Sequence, residues 1–389
     1  MVTTLHNICP VQKTTENTYT VLVGAEDFMN ALHADLLTCK DSLFAQFMTY
    51  EGDAAGQLLS DYLIDRASNG VDVRLIVDYF SDHILSDIFP HHLMRRDQYC
   101  AEQAQTRKLF NQMRRKGIQI KRTNPFGPLW CYFFYRDHKK IIIVDEQVAY
   151  LGGINISDHN FEWHDFMVRI EGPIVQTIVE DFASTWHGDS IVLERTSRVG
   201  DYVVNQTTGR PAVYNNILDQ IDRAERSILI ECPYLVGYGI ESALLRAAER
   251  GVVVTLILPQ YVNIVVFRWW LTASLHFLNH PNIHVYGFQG DGGMTHAKLY
   301  LFDDKWASFG SLNVSELECM THKEINVFSQ NRDLIEQLKQ LACDDLEKSL
   351  PLSKPASQNW YLPYHWVYSL YALWTSILLN NPAWRKQYC

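Results

Sequence analysis

A histidine, a lysine two residues on, an aspartate five beyond that, and an asparagine after a glycine turn occur twice in this chain of 389 residues. The first copy runs from His138 and Lys140 through Asp145 to Gly152 and Asn155; the second runs from His296 and Lys298 through Asp303 to Gly310 and Asn313. The copies overlay without a gap, and Ala149/Ala307 and Ser157/Ser315 coincide as well. Apolar positions agree between any two strands, so the polar identities carry the repeat. Residues two apart on a strand share a face, which sets each His beside its Lys. The Asn returns next to them after the glycine turn. Two copies facing across a pseudo-twofold axis would gather two His, two Lys and two Asn. Lys and Asn supply the cation and the directed N–H groups that non-bridging phosphate oxygens require. One neutral His can attack phosphorus, and the other, protonated, can hand its proton to a leaving alcohol. A phosphohistidine intermediate would let water or a second alcohol take the group. The residues alone leave open which His attacks. They offer no metal-ligand spacing, and neither a metal nor a cofactor is expected.

The elements around the motifs repeat too. Ile141-Ile142-Ile143-Val144 reads as a strand buried on both faces. Residues 42–50 answer 227–235 as strands after helical stretches, 69–78 answer 250–259 as a helix end followed by a buried strand, and 116–122 answer 281–288. The expected fold class is α/β, with one sandwich half built twice and the active site between the halves. The halves are expected at 15–190 and 200–335, with a linker near 188–212 and an aromatic-rich helical tail over 336–389. The first half carries an insertion within 79–116. Hydrophobic residues make up 47% of the chain, enough for a full core, while the formal charge of −10 argues against a nucleic-acid partner. Eight scattered cysteines show no paired spacing and read as reduced thiols. The N-terminus lacks the features of a secretory signal.

With both motifs aligned, "HKKIIIVD…GGIN" and "HAKLYLFD…GSLN" resemble the HKD motifs of the phospholipase D superfamily. "YEGDAAG", "FFYRDHKK" and "WHDFMVRIEGPIV" make the chain most similar to bacterial cardiolipin synthases, particularly those without N-terminal membrane helices. The resemblance implies a phosphatidyltransferase with phosphatidylglycerol as donor and acceptor. It implies His138 as nucleophile, His296 as general acid, and Lys140, Lys298, Asn155 and Asn313 as the phosphate cradle. Asp165 and Glu324, in line after each motif His, would fix the ring tautomers. Asp145 and Asp303, part of the motif, would act as structural ion-pair anchors. The alternatives are hydrolysis to phosphatidic acid, a nuclease of the same fold, or a membrane scaffold with a vestigial site. The second motif departs from the family after Asn313: Ser315 stands where an Asp is usual, and no Arg follows.

Seven basic and no acidic residues lie between Arg107 and Arg122, which reads as a solvated helix face or a dock for anionic lipid. The apolar run 262–278 could be a buried helix or a wall of an acyl-chain groove. The uncharged segment 360–384 reads as a helix at the bilayer interface or packed on the body rather than a span. The expected partners are phospholipids and the membrane surface, and the expected state is a monomer, cytoplasmic and peripheral at the inner face of the cell membrane.

Overall fold

The computed structural model describes residues 16–83, 96–128, 132–189, 194–196, 200–262, 271, 274–290, 294–352 and 373. The aromatic tail from 353, Leu373 apart, and most of the apolar run 262–278 lie outside them. Among the described residues, no helix is long and apolar enough to cross a membrane.

The first half holds β1 (Thr18–Val23), β2 (Ser42–Phe47), β3 (Asp72–Asp78), β4 (Gln119–Thr123), β5 (Ile141–Val144), β6 (Val148–Gly152) and β7 (Phe166–Glu171). They form one sheet in the order β1-β7-β6-β5-β2-β3-β4. The second half contributes β8 (Glu194–Thr196), β9 (Tyr202–Gln206), β10 (Ser227–Glu231), β11 (Leu235–Val236), β12 (Val253–Pro259) and β13 (Ile283–Phe288). It continues with β14 (Leu299–Phe302), β15 (Trp306–Gly310), β16 (Val314–Ser315), β17 (Glu324–Ser329) and β18 (Ser349–Pro351). Its large sheet runs β18-β13-β12-β10-β14-β15-β17-β9-β8, and β11 pairs separately with β16. Without the edge strands β18 and β8, the two orders are the same, so the duplication is topological as well as sequential. In each, the first three strands after the crossovers are parallel and the motif hairpin is antiparallel.

Helices follow the repeat: α1 (Gly24–Leu36), α2 (Ala54–Ser68), α3 (Arg96–Arg115), α4 (Asp158–Phe161) and α5 (Val175–His187) in the first half. The second has α6 (Ala212–Arg223), α7 (Tyr238–Glu249), α8 (Glu316–Thr321) and α9 (Arg332–Glu347). The motif strands face both ways, as their unbroken apolar runs require. Ile141 and Ile143 enter a central core with Leu299, Leu301, Phe182 and Leu338, so α5 and α9 lie between the sheets. Ile142 and Val144 pack outward with residues of α1 and α2, while Tyr300 and Phe302 pack with α6 and α7. The central core takes side chains from both halves, which fixes the sheets relative to each other.

Two expected boundaries need correcting. The stretch read as a linker contains β9, a central strand of the second sheet paired along β17. Its buried Asn205 and Gln206, satisfied by Asp181 and by the carbonyls of Cys319 and His322, broke the apolar pattern. The tail does not begin at 336: α9 crosses that position with Leu334, Ile335, Leu338 and Ala342 buried, and β18 then pairs with β13. Gln337 ties α9 to the first half, accepting from the N–H of Val21 and donating to the carbonyl of Tyr19.

Candidate active site

Each motif's His and Lys sit in an extended lead-in just before β5 or β14, and all four are buried. Each lead-in pairs with the opposite half. Asp137 bridges to Lys323, with the His138 N–H donating to the Lys323 carbonyl at 2.9 Å. Thr295 bridges to His164, with the His296 N–H donating to the His164 carbonyl at 2.7 Å. The first lead-in is also held by charge. Arg136 meets Asp78 at 2.6 Å with both groups almost wholly buried, and the other Asp78 oxygen accepts the Asp137 N–H. Lys139 pairs with Asp181 of α5 at 2.8 Å. Behind the second lead-in, His164 meets Asp345 at 2.8 Å, and buried Glu231 accepts from the Thr295 hydroxyl.

This exchange decides which acid meets which ring. Lys323 and His164 immediately precede Glu324 and Asp165, so each acid arrives beside the other half's histidine. His138 Nδ1 lies 3.0 and 3.1 Å from the two oxygens of Glu324 and 3.0 Å from the Ser311 carbonyl. His296 Nδ1 lies 2.7 Å from Asp165 Oδ2. The sequence lists each acid after the His of its own motif; in space the two are swapped. With Nδ1 engaged, Nε2 of His138 is the nitrogen left for chemistry, while Nε2 of His296 faces the Lys298 ammonium at 3.1 Å. Burial, with Lys140 and Lys298 adding to it, holds His138 well below the usual imidazole range, so this ring is neutral and keeps a lone pair. Burial pushes Asp165 up to about 6 against the pull of Lys298.

Lys140 donates back to the His138 carbonyl. Lys298 bonds its own His296 carbonyl and places Nζ 2.9 Å from Nδ1 and 3.1 Å from Nε2 of that ring. Burial brings Lys298 down to about 8, with Asp165 and Glu324 opposing. Asn155 Oδ1 accepts from the Thr49 N–H at 3.2 Å, which leaves its NH2 to donate. Asn313 instead bonds the Glu318 carboxyl, and among the described residues its own Oδ1 has no hydrogen-bond partner. The residue before each Ile/Leu-Asn pair differs as well. Ser311 donates its hydroxyl to Glu324 Oε2, whereas a Cβ on Gly153 would come within 2.3 Å of Asp165 Oδ1.

Asp145 and Asp303 do not reach the rings, and neither is an ion-pair anchor. Each stands in a positive-φ turn between the motif strands and accepts backbone N–H bonds from the start of β2 or β10. Asp145 receives those of Lys40, Asp41 and Ser42; Asp303 receives those of Glu225, Arg226 and Ser227. Burial opposes ionisation of both, but the N–H donors outweigh it and hold the carboxyls below their usual range.

Sequence reasoning missed three side chains at the site. The His322 ring lies 5.3 Å from that of His138 between centroids, and the Trp163 ring 5.1 Å from His296. Glu318 faces the motif lysines, and burial, with Glu324 near, pushes it up to about 7. A signal for His322 was present: it stands two residues before Glu324 on an extended segment, hence on the same face.

Residues 36–186 and 217–344 match the family described as cardiolipin synthase, PLD-like domain. The chain belongs to that family. The major cardiolipin synthase of Bacillus subtilis (strain 168) is 26% identical over 357 residues, 86% of this chain and 70% of that protein. A cardiolipin synthase A of Pseudomonas syringae pv. syringae (strain B728a) is 24% identical over 364 residues, 88% of this chain and 71% of that one. Among solved structures, phosphatidylserine synthase of Haemophilus influenzae Rd KW20 superimposes with a TM-score of 0.64 at 12% identity, covering 94% of each chain. Polyphosphate kinase from Porphyromonas gingivalis gives 0.58 at 14% identity, covering 91% of this chain and 53% of that one. These last two likenesses concern the fold. Both family segments carry a complete motif, and the gap between them contains β9.

Proposed function

We propose that this protein is a cardiolipin synthase working through a phosphohistidine. The supporting observation is the pair of His–acid contacts crossing between the halves, each next to a motif lysine and asparagine, in a chain of this family. His138 Nε2 attacks phosphorus of phosphatidylglycerol, forming a P–N bond while the P–O bond to glycerol breaks. His296, protonated and held by Asp165, gives its proton to the leaving glycerol oxygen. The positive charge that develops on His138 is balanced by Glu324 at Nδ1. A second phosphatidylglycerol then enters; His296 takes its hydroxyl proton as the oxygen attacks phosphorus, and the P–N bond breaks to release cardiolipin. Lys140, Lys298 and Asn155 hold the phosphoryl oxygens in both steps. No metal enters this scheme.

On this reading the substrates lie in a membrane, and we propose a peripheral monomer at the inner face of the cell membrane. The exposed side of α3 fits that docking. Arg107, Lys108, Arg115 and Lys116 line a cleft of 660 Å³ there, and each cation near an anionic surface contributes about 1 kcal/mol. Lys121 and Arg122, counted in the same basic run, are spent inside. Lys121 donates to carbonyls of α5, and Arg122 pairs with Asp82 and covers the Phe110 ring.

The test is product analysis after incubating the purified protein with phosphatidylglycerol vesicles, beside a His138→Ala control. Cardiolipin and free glycerol, absent with the control, are expected. Phosphatidic acid in place of cardiolipin would make water the acceptor and overturn the transfer.

A further inference from the structure

We propose that His138, His322 and Glu324 form a binding site for a zinc-class divalent cation, and that filling it silences the nucleophile. The inference rests in part on His138 being the attacking ring. Each of the three residues offers one ligand atom, and those atoms lie within 4.8 Å of one another. All three side chains are buried. Among the described residues His322 Nδ1 has no hydrogen-bond partner, although it is enclosed by protein. Glu324 divides its two oxygens: Oε2 accepts from Ser311 Oγ and from His138, while Oε1 accepts no hydrogen bond. Oε1 lies 3.0 Å from His138 Nδ1 and 3.7 Å from His322 Nδ1, within ion-pair reach of both rings.

Two imidazoles and a carboxylate are a recurrent donor set for zinc, and bonds of about 2.0–2.1 Å in a tetrahedron put ligand atoms roughly 3.3 Å apart. The two spacings here bracket that edge. Burial, with the Glu324 contact opposing, brings His322 down to about 4, so its ring lone pair is available at neutral pH.

Silencing follows from the tautomer. In the free protein Nδ1 of His138 carries the proton and Nε2 the lone pair. A cation on Nδ1 takes the lone pair there, and the ring proton moves to Nε2. Protons are conserved, but Nε2 no longer has electrons for phosphorus. Glu324 turns at the same moment from orienting partner to ligand.

Full-length protein is titrated with Co²⁺, whose visible absorption reports tetrahedral nitrogen and oxygen ligation. It is then titrated with Zn²⁺ while transfer on phosphatidylglycerol vesicles is followed. His322→Asn and His322→Gln remove a ligand and keep a polar group. The parent should bind one equivalent more than either variant, with Zn²⁺ displacing Co²⁺. The Zn²⁺ concentration for half-inhibition should rise by at least about 10-fold in the variants. The buried cluster of His164, Glu231 and Asp345 is untouched by these substitutions and contributes alike to all titrations. Equal spectra and equal inhibition in parent and variants would overturn the site. An extra equivalent bound with transfer undiminished would overturn the silencing, and with it His138 as nucleophile. A parent that binds the extra equivalent yet never transfers would support the cation site and count against the synthase function alone.

Discussion

The two histidine pockets are built on one plan and closed in two ways. At His296 the acid is the shorter Asp165, and Gly153 must lack a side chain because the carboxylate occupies the place of its Cβ. At His138 the acid is the longer Glu324, and the matching residue is Ser311, whose hydroxyl steadies one carboxylate oxygen. A third ring, His322, lies against His138, and an indole, Trp163, lies against His296. The consequence is electrostatic. His138, buried among cations, is kept neutral, while the acid beside His296 has its affinity for a proton raised. The difference supports a division of labour, with attack from His138 and proton delivery from His296.

The sharpest way to break this division is to remove one ring at a time. His138→Ala and His296→Ala should each lower transfer by about 10⁴-fold. Only the His296 variant should still accumulate a phosphatidyl-enzyme, seen as an intact-mass increase after alkaline quenching. The adduct in the His138 variant instead would reverse the roles. The acids come next. Glu324→Gln and Asp165→Asn should each cost about 10²–10⁴-fold in transfer, because the ring loses its tautomer partner. Double-mutant cycles should couple Glu324 with His138 and Asp165 with His296; coupling within each half would contradict the crossing.

Lys298 offers a smaller effect. With its ammonium titrating near 8, KM for the phospholipid should rise above that pH, and Lys298→Arg should carry the alkaline limb to higher pH. The third ring gives a stability test. His322 in the folded protein titrates near 4, below its ordinary value of 6.5. Between those values the unfolded chain binds the extra proton, so stability is full above 6.5 and falls as the pH drops toward 4. His322→Asn should flatten that part of a Tm-against-pH curve. The smallest effect is expected where the halves agree. Asp145→Ala or Asp303→Ala should cost about 1–2 kcal/mol in denaturant unfolding through lost N–H bonds, with transfer per folded molecule retained.

Much of this was legible in the chain. Strand pattern and polar identities disclosed the α/β class and the duplicated elements of both halves, and the spacing pointed to His138, His296 and their lysines as neighbours in one buried place. What the sequence hid is non-local. Nothing in the spacing from His138 to Asp165 says that the lead-in will pair with the other half and trade acids. Asp145 and Asp303 look like site residues because they keep step with the motif, yet their partners are backbone groups that no residue type reveals. The strand β9 was hidden by Asn205 and Gln206, polar side chains whose partners arrive from distant segments. His322 and Glu318 were visible as letters in "GSLNVSELECMTHKE", but a departure from a family pattern does not say where the new side chain points.

The traded acids also govern how damage spreads. Each half owns the ring of one pocket and the counter-charge of the other, so neither half holds a complete catalytic step. On the proposed mechanism, a lesion that shifts either sheet would disturb the ring of one pocket and the acid of the other. The chain is in effect a dimer that can no longer dissociate, and its two subunits are answerable for each other's mistakes.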